Sequence, residues 1–486
     1  MPRTTRLLTS LCLLLILAAN LAVITEVARA DEPKRPNFLF ILVDDLGYMD
    51  VSPNNPGTFY ETPHIAKLAG SGLRFTNGYA ACPVCSPTRA SIMTGKYPAR
   101  TKTTNYFCGR STKRPLLPPN YLCHLPLSEV TLAEALKDAG YATFFAGKWH
   151  LGRKGRWPED QGFDINKGGV YQGRVFGGMS YFPPYHNPNL SDGPEGEHLP
   201  DRLAQETVNF IEANRDEPFL AYLSFYSVHT PLMGRPDLVA KYQQKAKTID
   251  PKLPRSEMER KRKNRLVQEH AVYAAMVEGM DQAVGKMLSA LERLKLADNT
   301  VVIFFSDNGG LSTSEGHPTS NIPLRAGKGW MYEGGIRVPC IVRAPGVTRP
   351  GTVCDEPMVS NDFFPTMLDL AGLLRQPEKH IDGVSLLPLL RNPQATLDRE
   401  AIYWHYPHYG NQGGAPSGAI RQGDWKLIEW YEDDSVELFN LADDIGERKN
   451  LAAEQAVRAE KMRQMLHDWR TSVDADMPTV NAGVGR

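Results

Sequence analysis

The sequence has no excess charge of either sign. Its 486 residues carry 55 Lys and Arg against 55 Asp and Glu, so no net field draws the chain to nucleic acid or to an acidic membrane. It also lacks internal repeats and, past the N-terminus, any apolar run long enough to span a bilayer. Cysteine is sparse, with seven residues at 12, 82, 85, 108, 123, 340 and 354. What remains is an ordinary globular composition, 42% hydrophobic and 23% charged with 41 Gly and 37 Pro, which excludes disordered, collagenous and coiled-coil chains. The length fits about three domains, or one large α/β core with an appendage.

The N-terminus has the pattern of a targeting segment. Arg3 and Arg6 precede an apolar stretch from Leu7 to Ala19, and Ala28-Arg29-Ala30 supplies an A-x-A cleavage site. Thr9, Ser10 and Asn20 interrupt the run before the roughly 20 apolar residues that a spanning helix needs. Residues 1–30 are therefore expected to be a signal peptide, with a retained anchor as the alternative. The mature chain is expected to be exported, periplasmic or secreted, with no stable membrane span after cleavage. Removing Cys12 leaves six cysteines, a number that suits an oxidising compartment. Cys108/Cys123 and Cys340/Cys354 are local couples where disulfides are candidates, but sequence does not assign connectivity.

Short continuous apolar runs at 37–43, 142–146, 218–225 and 301–306 have the character of strands buried on both faces of a parallel sheet. Helical spacing appears at 202–214 and about 266–294, and the segment 131–139 opens with a capping box, Thr131 and Glu134, and stops at Gly140. The alternation predicts an α/β fold: a large domain with a mostly parallel central sheet flanked by helices. The basic segment 241–265 is expected to be a solvated helix and loop, with a patch for an anionic substrate as the alternative. After about 395 the pattern changes to short aromatic and β-branched runs at 401–405, 425–431 and 436–440, closed by a helix near 452–473. That predicts a smaller C-terminal α+β subdomain with an antiparallel sheet, giving a catalytic domain over 31–394 and a subdomain over 395–486.

Each apolar run ends in chemistry. Asp44-Asp45 follow the first, Lys148 and His150 the second, His229 the third and Asp307-Asn308 the fourth. Ligand groups gather at the carboxyl ends of strands in open α/β sheets; a single such residue would be an ordinary loop charge, but four together predict one assembled site. Asp44, Asp45, Asp307 and Asn308 are hard oxygen donors suited to Ca²⁺ or Mg²⁺ rather than zinc, although adjacent Asp residues also cap turns. Cys85, with Pro87 following and Gly95 closing, is placed at a helix N-terminus where backbone N–H groups and Arg89 favour an anion. Cys82-Pro83-Val84-Cys85 equally has the C-x-x-C spacing of a thiol oxidoreductase, or is a buried structural pair.

The run Cys85-Ser86-Pro87-Thr88-Arg89 through Thr94-Gly95-Lys96 resembles the signature of the type I sulfatases, members of the alkaline phosphatase superfamily. A second signature is similar at Gly140-Tyr141-Ala142-Thr143 through Gly147-Lys148-Trp149-His150-Leu151-Gly152. The resemblance continues in order through Asp44-Asp45, His229-Thr230-Pro231, Asp307-Asn308-Gly309-Gly310, Gly327-Lys328-Gly329 and Asp424-Trp425-Lys426-Leu427. Thr88, Lys96 and Val228 depart from the usual residues without removing a needed group.

The resemblance implies that Cys85 is oxidised to formylglycine by a maturation enzyme, and that its hydrate, resting on Ca²⁺ (Mg²⁺ being less favoured), is the nucleophile. Asp44, Asp45, Asp307, Asn308 and the converted Cys85 would hold the metal, and Arg89 would help to balance their charge. It also makes His229 the candidate general acid and substrate ligand, Lys148 and Lys328 the sulfate-binding cations, and His150 the base that restores the aldehyde. The function implied is hydrolysis of a sulfate ester, with a sulfated carbohydrate as the expected substrate. The alternatives are a phosphonate or phosphate ester hydrolase with the same nucleophile, and a non-catalytic relative that binds sulfated glycans. His405 and His408, in an aromatic stretch, either line the substrate pocket or pack between the domains.

Overall fold

A computed structural model describes residues 35–106, 113–178 and 180–484. The expected signal peptide and Cys108 therefore lie outside the described residues. Twelve strands matter here. They are β1 (Asn37–Val43), β2 (Leu73–Phe75), β3 (Ala142–Gly147), β4 (Ile165–Lys167), β5 (Phe219–Ser224), β6 (Thr300–Ser306), β7 (Cys340–Arg343), β8 (Thr352–Cys354), β9 (Ile402–Tyr406), β10 (Ser417–Gln422), β11 (Trp425–Trp430) and β12 (Val436–Asn440). The principal helices are α1 (Pro63–Ser71), α2 (Cys85–Thr94), α3 (Leu132–Asp138), α4 (Leu199–Ala213), α5 (Pro236–Ala246), α6 (Ala271–Arg293), α7 (Phe363–Leu370) and α8 (Ala456–Ser472).

The first eight strands form one sheet in the order β8-β2-β7-β6-β1-β5-β3-β4. All its pairings are parallel except those made by β7. The continuous apolar runs have a simple cause. Along β1, Leu39, Ile41 and Val43 enter one core while Phe38, Phe40 and Leu42 enter another on the opposite face, so alternate side chains are apolar in both directions. The first core packs against α4 and α6, the second against α2, α3 and α7. At α3 the capping box forms as expected: the Glu134 N–H donates to Thr131 Oγ1 (3.1 Å) and the Thr131 N–H to Glu134 Oε2 (2.7 Å).

The tail folds into the antiparallel sheet β9-β10-β11-β12 with α8 against it. Strand β10 gives little sequence signal, because Ser417-Gly418-Ala419-Ile420-Arg421-Gln422 has no β-branched or aromatic alternation, yet pairing on both edges makes it central. The basic stretch also differs from the expected helix and loop: after α5 it forms a hairpin, Ser256–Glu259 with Arg262–Arg265. Its cations are answered by carboxylates, Lys241 and Lys245 by Glu61 and Arg255 and Arg265 by Glu269.

The Cys340/Cys354 disulfide is a correction. Both cysteines are free and buried. Each is in register with Phe75, Cys340 from β7 and Cys354 from β8 on the other side of β2. A whole strand separates them, a gap of roughly 10 Å, which exceeds the reach of a disulfide. Cys123 is disulfide-bonded. No helix among the described residues is long and apolar enough to cross a membrane.

Candidate active site

The strands β6, β1, β5 and β3 are consecutive neighbours at the middle of the large sheet. Their register sets Val43 beside Ser306, Leu42 beside Ser224 and Ser224 beside Gly147. The residues that follow therefore leave the sheet at one height on one edge. Backbone bonds carry the order further: the Asp44 N–H donates to Ser227 O (3.0 Å), the Val228 N–H to Asp44 O (2.7 Å) and the Lys148 N–H to Ser224 O (2.8 Å). Asp44, Asp45, Asp307, Asn308, Lys148 and Lys328 meet there, all buried.

The carboxylates are each matched by a cation. Lys148 Nζ lies 2.5 Å from Asp44 Oδ2, and Lys328 Nζ lies 2.7 Å from Asp45 Oδ1. Arg89, one turn into α2, donates Nε and Nη2 to Asp307 Oδ2 (2.9 and 2.7 Å) and Nη1 to Lys148 O (2.7 Å) and Ser224 Oγ (2.6 Å). Its donors are spent on the frame, so Arg89 fixes Asp307 and the ends of β3 and β5.

The donor set fits a divalent cation. Sγ of Cys85 and carboxylate oxygens of Asp44 and Asp307 lie within 4.8 Å of one another. Asp44 Oδ1 and Asn308 Oδ1 are buried without a hydrogen-bond partner, and both belong to this cluster. Orphaned oxygens of this kind are costly unless something else satisfies them. Burial raises the Asp44 pKa well above the usual carboxylate range, Asp307 and Asp45 add to the rise, and Lys148 and Arg89 only partly oppose it. Burial pushes Asp45 upward too, but Lys328, His229 and Lys148 outweigh it and hold its carboxyl well below its ordinary value.

Cys85 opens α2, and Gly95 ends the helix at φ 64°. Sγ of Cys85 lies 3.4 Å from His150 Nδ1. Burial raises the thiol pKa of Cys85, and Lys148 and Lys328 only moderate the rise. Cys82 is likewise buried, and burial pushes its thiol far upward. A C-x-x-C redox centre needs an exposed cysteine with a lowered pKa, so these two buried thiols do not fit the oxidoreductase alternative.

His150 is half-buried in a left-handed conformation (φ 59°). Burial, Lys148 and Arg89 lower its pKa well below the ordinary imidazole value, so it is neutral at neutral pH and can accept a proton. Gly173 lies flat against it: a Cβ there would stand 2.3 Å from the ring Cε1. His229 has its Nδ1 2.8 Å from Thr230 O, which fixes Nδ1–H as the donor. Its Nε2 then faces the cluster, 3.8 Å from Asp45 Oδ2. Burial and Lys328 lower the His229 pKa to about 4.

The structure thus gathers every residue expected at the site. It also adds residues that carry no motif. Glu315, at φ 53° in a turn, accepts bonds from Thr230 Oγ1, Asn411 Nδ2 and Gln412 Nε2, each at 3.1 Å, and walls the His229 side. Nothing in its neighbourhood in sequence marks it. His405 and His408 do not line the cleft. His405 bonds Tyr431 OH (2.9 Å) and Asp476 O (3.1 Å), and His408 bonds Thr104 Oγ1 (2.8 Å). A cleft of about 360 Å³ opens from Ser86 and His150 toward Asn105, Tyr106, Tyr171 and Arg174.

The family model described as Sulfatase matches residues 36–373. The one described as N-sulphoglucosamine sulphohydrolase, C-terminal, matches residues 326–472. A protein of Formosa agariphila named Sulfatase is 34% identical, with 91% of this chain and 90% of that protein covered. Steryl-sulfatase of Homo sapiens is 30% identical, with 78% of this chain and 73% of that protein covered. Among solved structures, Ps i-CgsB in complex with k-i-k-neocarrahexaose superposes with a TM-score of 0.73 at 29% identity, covering 90% of this chain and 93% of that chain.

Proposed function

The chain belongs to the sulfatase family and hydrolyses sulfate esters; from that premise we propose that its nucleophile is a formylglycine made from Cys85, its metal is Ca²⁺ and its substrate is a sulfated carbohydrate. The observation that carries the reading is the Cys85 side chain, at a helix N-terminus, within 4.8 Å of the Asp44 and Asp307 carboxylates and 3.4 Å from the His150 imidazole. When present, formylglycine supplies a hydrated oxygen nucleophile in place of an inert buried thiol, and Ca²⁺ supplies charge that favours an oxyanion beside it. Asp44, Asp45, Asp307 and Asn308 would hold the ion. Three carboxylates and an amide from the protein suit Ca²⁺ better than Mg²⁺, which keeps several waters.

Each chain residue then has one task. Lys148 and Lys328 keep donors beyond those spent on Asp44 and Asp45, and these bind the oxygens of the sulfate group. Arg89 positions Asp307. His229 presents Nε2 to the leaving alcohol as general acid; burial and then Lys328 lower its pKa, and an arriving sulfate anion opposes the Lys328 field. His150, neutral and directed at residue 85, takes the proton from the nucleophile's hydroxyl so that sulfate leaves. Residues up to about 394 form the catalytic unit on this reading, and the tail from 395 closes one side.

The cleft wall supports a carbohydrate over an apolar skeleton, since Asn105, Gln172, Arg153 and Arg174 line it. The Ps i-CgsB relative is described with a bound neocarrahexaose. The N-terminal segment, with Arg3, Arg6 and Ala28-Arg29-Ala30, supports export to the periplasm or medium, and a formylglycine-generating enzyme is the required maturation partner.

The test is the mass of the tryptic peptide Phe75–Arg89 after reduction and alkylation, with Cys82 in the same peptide as the alkylation control. We expect Cys82 alkylated and residue 85 present as an aldehyde, with calcium-dependent release of sulfate from 4-nitrophenyl sulfate. Alkylation of both cysteines, even with a maturation enzyme supplied, would overturn the nucleophile and favour a glycan-binding protein. A dominant rate on a phosphonate ester of the same alcohol would reassign the substrate.

A further inference from the structure

Two arginines beside the catalytic cluster have no carboxylate to answer them. Arg153 and Arg174 both line the cleft that opens from Ser86 and His150, and both are exposed. Among the described residues neither forms an ion pair. Arg153 instead lies over the ring of Tyr171, 5.0 Å from its centroid. This sets them apart from the cations of the basic segment, where Lys241 and Lys245 lie 2.6 and 2.9 Å from Glu61. A surface cation left unpaired next to a binding cleft, with its side chain held over an aromatic face, is ready to bind an anion at little ordering cost.

The two sides of the site also differ in charge. Glu315 stands on the His229 side, held by Thr230, Asn411 and Gln412. Arg153, Arg174 and Gln172 stand on the His150 side. A second negative group on a substrate in the cleft is attracted to the arginine wall. The segment 171–174 that carries Tyr171 and Arg174 includes Gly173, whose backbone touches His150, so an anion on this wall sits next to the reacting group. Guanidinium groups recognise planar or tetrahedral oxyanions with paired N–H donors.

We propose that Arg153 and Arg174 form a subsite for a second sulfate or carboxylate on the same saccharide, so that the preferred substrate is an oligosaccharide bearing at least two anionic groups. The proposal rests on the sulfatase reading and deepens it.

The test measures binding and turnover separately. Calorimetry gives Kd for oligosaccharides of carrageenan, chondroitin sulfate and heparin, each with its desulfated counterpart and a monosulfated monosaccharide. The proteins are the wild type, Arg153→Gln, Arg174→Gln and, as a control in the basic helix, Lys245→Gln. We expect at least one oligosaccharide with several anionic groups to bind more tightly than the monosulfated sugar. Each arginine substitution weakens that binding by about 10-fold, as loss of a charge-assisted contact does, and Lys245→Gln leaves it unchanged. In turnover, the ratio of kcat/KM for that oligosaccharide to kcat/KM for 4-nitrophenyl sulfate falls by a similar factor. Equal affinity for the monosulfated sugar, absence of binding by every oligosaccharide, or a change of under twofold in both arginine variants would overturn the subsite. Wild-type hydrolysis of 4-nitrophenyl sulfate with no arginine effect leaves the sulfatase reading intact. An unconverted Cys85 with the arginine effect present sinks the nucleophile and keeps the subsite.

Discussion

Gly173→Ala tests the placement of His150 without touching a titratable group. A Cβ at this position would stand 2.3 Å from Cε1, 2.6 Å from Nε2 and 2.8 Å from Nδ1 of the His150 ring. Unstrained carbon contacts lie at about 3.5–4.0 Å, so the ring must retreat by roughly 1 Å or more. The retreat takes Nδ1 out of its 3.4 Å approach to residue 85. A misplacement of about 1 Å costs on the order of 100-fold in rate, within the 10²–10⁴-fold contribution typical of a general base. On the proposed role of His150, which acts after the alcohol has left, the loss should fall on the second half of the cycle. With 4-nitrophenyl sulfate and converted enzyme, stopped flow should show one equivalent of nitrophenolate per site, followed by turnover about 100-fold slower than wild type. Thermal stability should change little, since Gly173 is half-buried in a loop. In a His150→Ala background the glycine substitution should add nothing, as expected when one residue acts only through the other. Wild-type steady-state turnover, or a further loss in the His150→Ala background, would refute the reasoning.

Two further predictions concern the frame around the site. Lys426 is wholly buried between Glu333 (2.9 Å) and Glu447 (2.8 Å), so Lys426→Met should destabilise the fold by about 3–5 kcal/mol, the cost of stranding buried partners. Burial, opposed by Lys426, raises Glu447 to a pKa of about 7, so the loss should be larger at pH 8 than at pH 6; denaturant melts at both values decide it. Asp281 accepts the His64 and Ile65 N–H groups (3.1 and 2.8 Å) at the start of α1, and burial raises its pKa from 3.8 to about 7. Its folded value lies above its unfolded one, so wild-type stability attributable to this group is full below pH 4 and declines up to pH 7. Asp281→Asn should therefore gain on wild type by about 1.4 kcal/mol per pH unit across that window, up to roughly 4 kcal/mol, and a flat difference would exclude the raised pKa.

Much of the catalytic cluster was legible because it hangs on the most patterned part of the chain. Four apolar runs, each followed within a few residues by Asp, Lys or His, mark Asp44, Asp45, Lys148, His150, His229, Asp307 and Asn308 in the sequence alone. Their strands are β1, β3 and β6, with β5 leading to His229, and these four are consecutive neighbours in the sheet. The misses share a cause. Strand β10 is central only because β9 and β11 flank it. The Cys340/Cys354 pairing looked local at a spacing of 14 residues, but a strand runs between them. Glu315, Gly173, Arg153 and Arg174 sit in turns and loops, where neither period nor propensity marks a residue for a site.

The chain's local pattern determined four strands of the large sheet, their two-faced burial and the groups that follow them, because strand period and strand termination are local properties of the chain. Tertiary structure decided how those groups divide their work. Arg89 is spent on Asp307, Lys148 and Ser224 rather than left free for substrate, and two oxygens, on Asp44 and Asn308, are left without partners. It also decided what braces the loops on either side of the nucleophile: Trp404 of β9 donates to Ala80 O (2.8 Å), and Lys426 of β11 binds Glu333 beyond the Lys328 loop. Those contacts join residues more than 90 positions apart, and no local pattern encodes them. They exist only because burial brings charges together and leaves each one needing a partner.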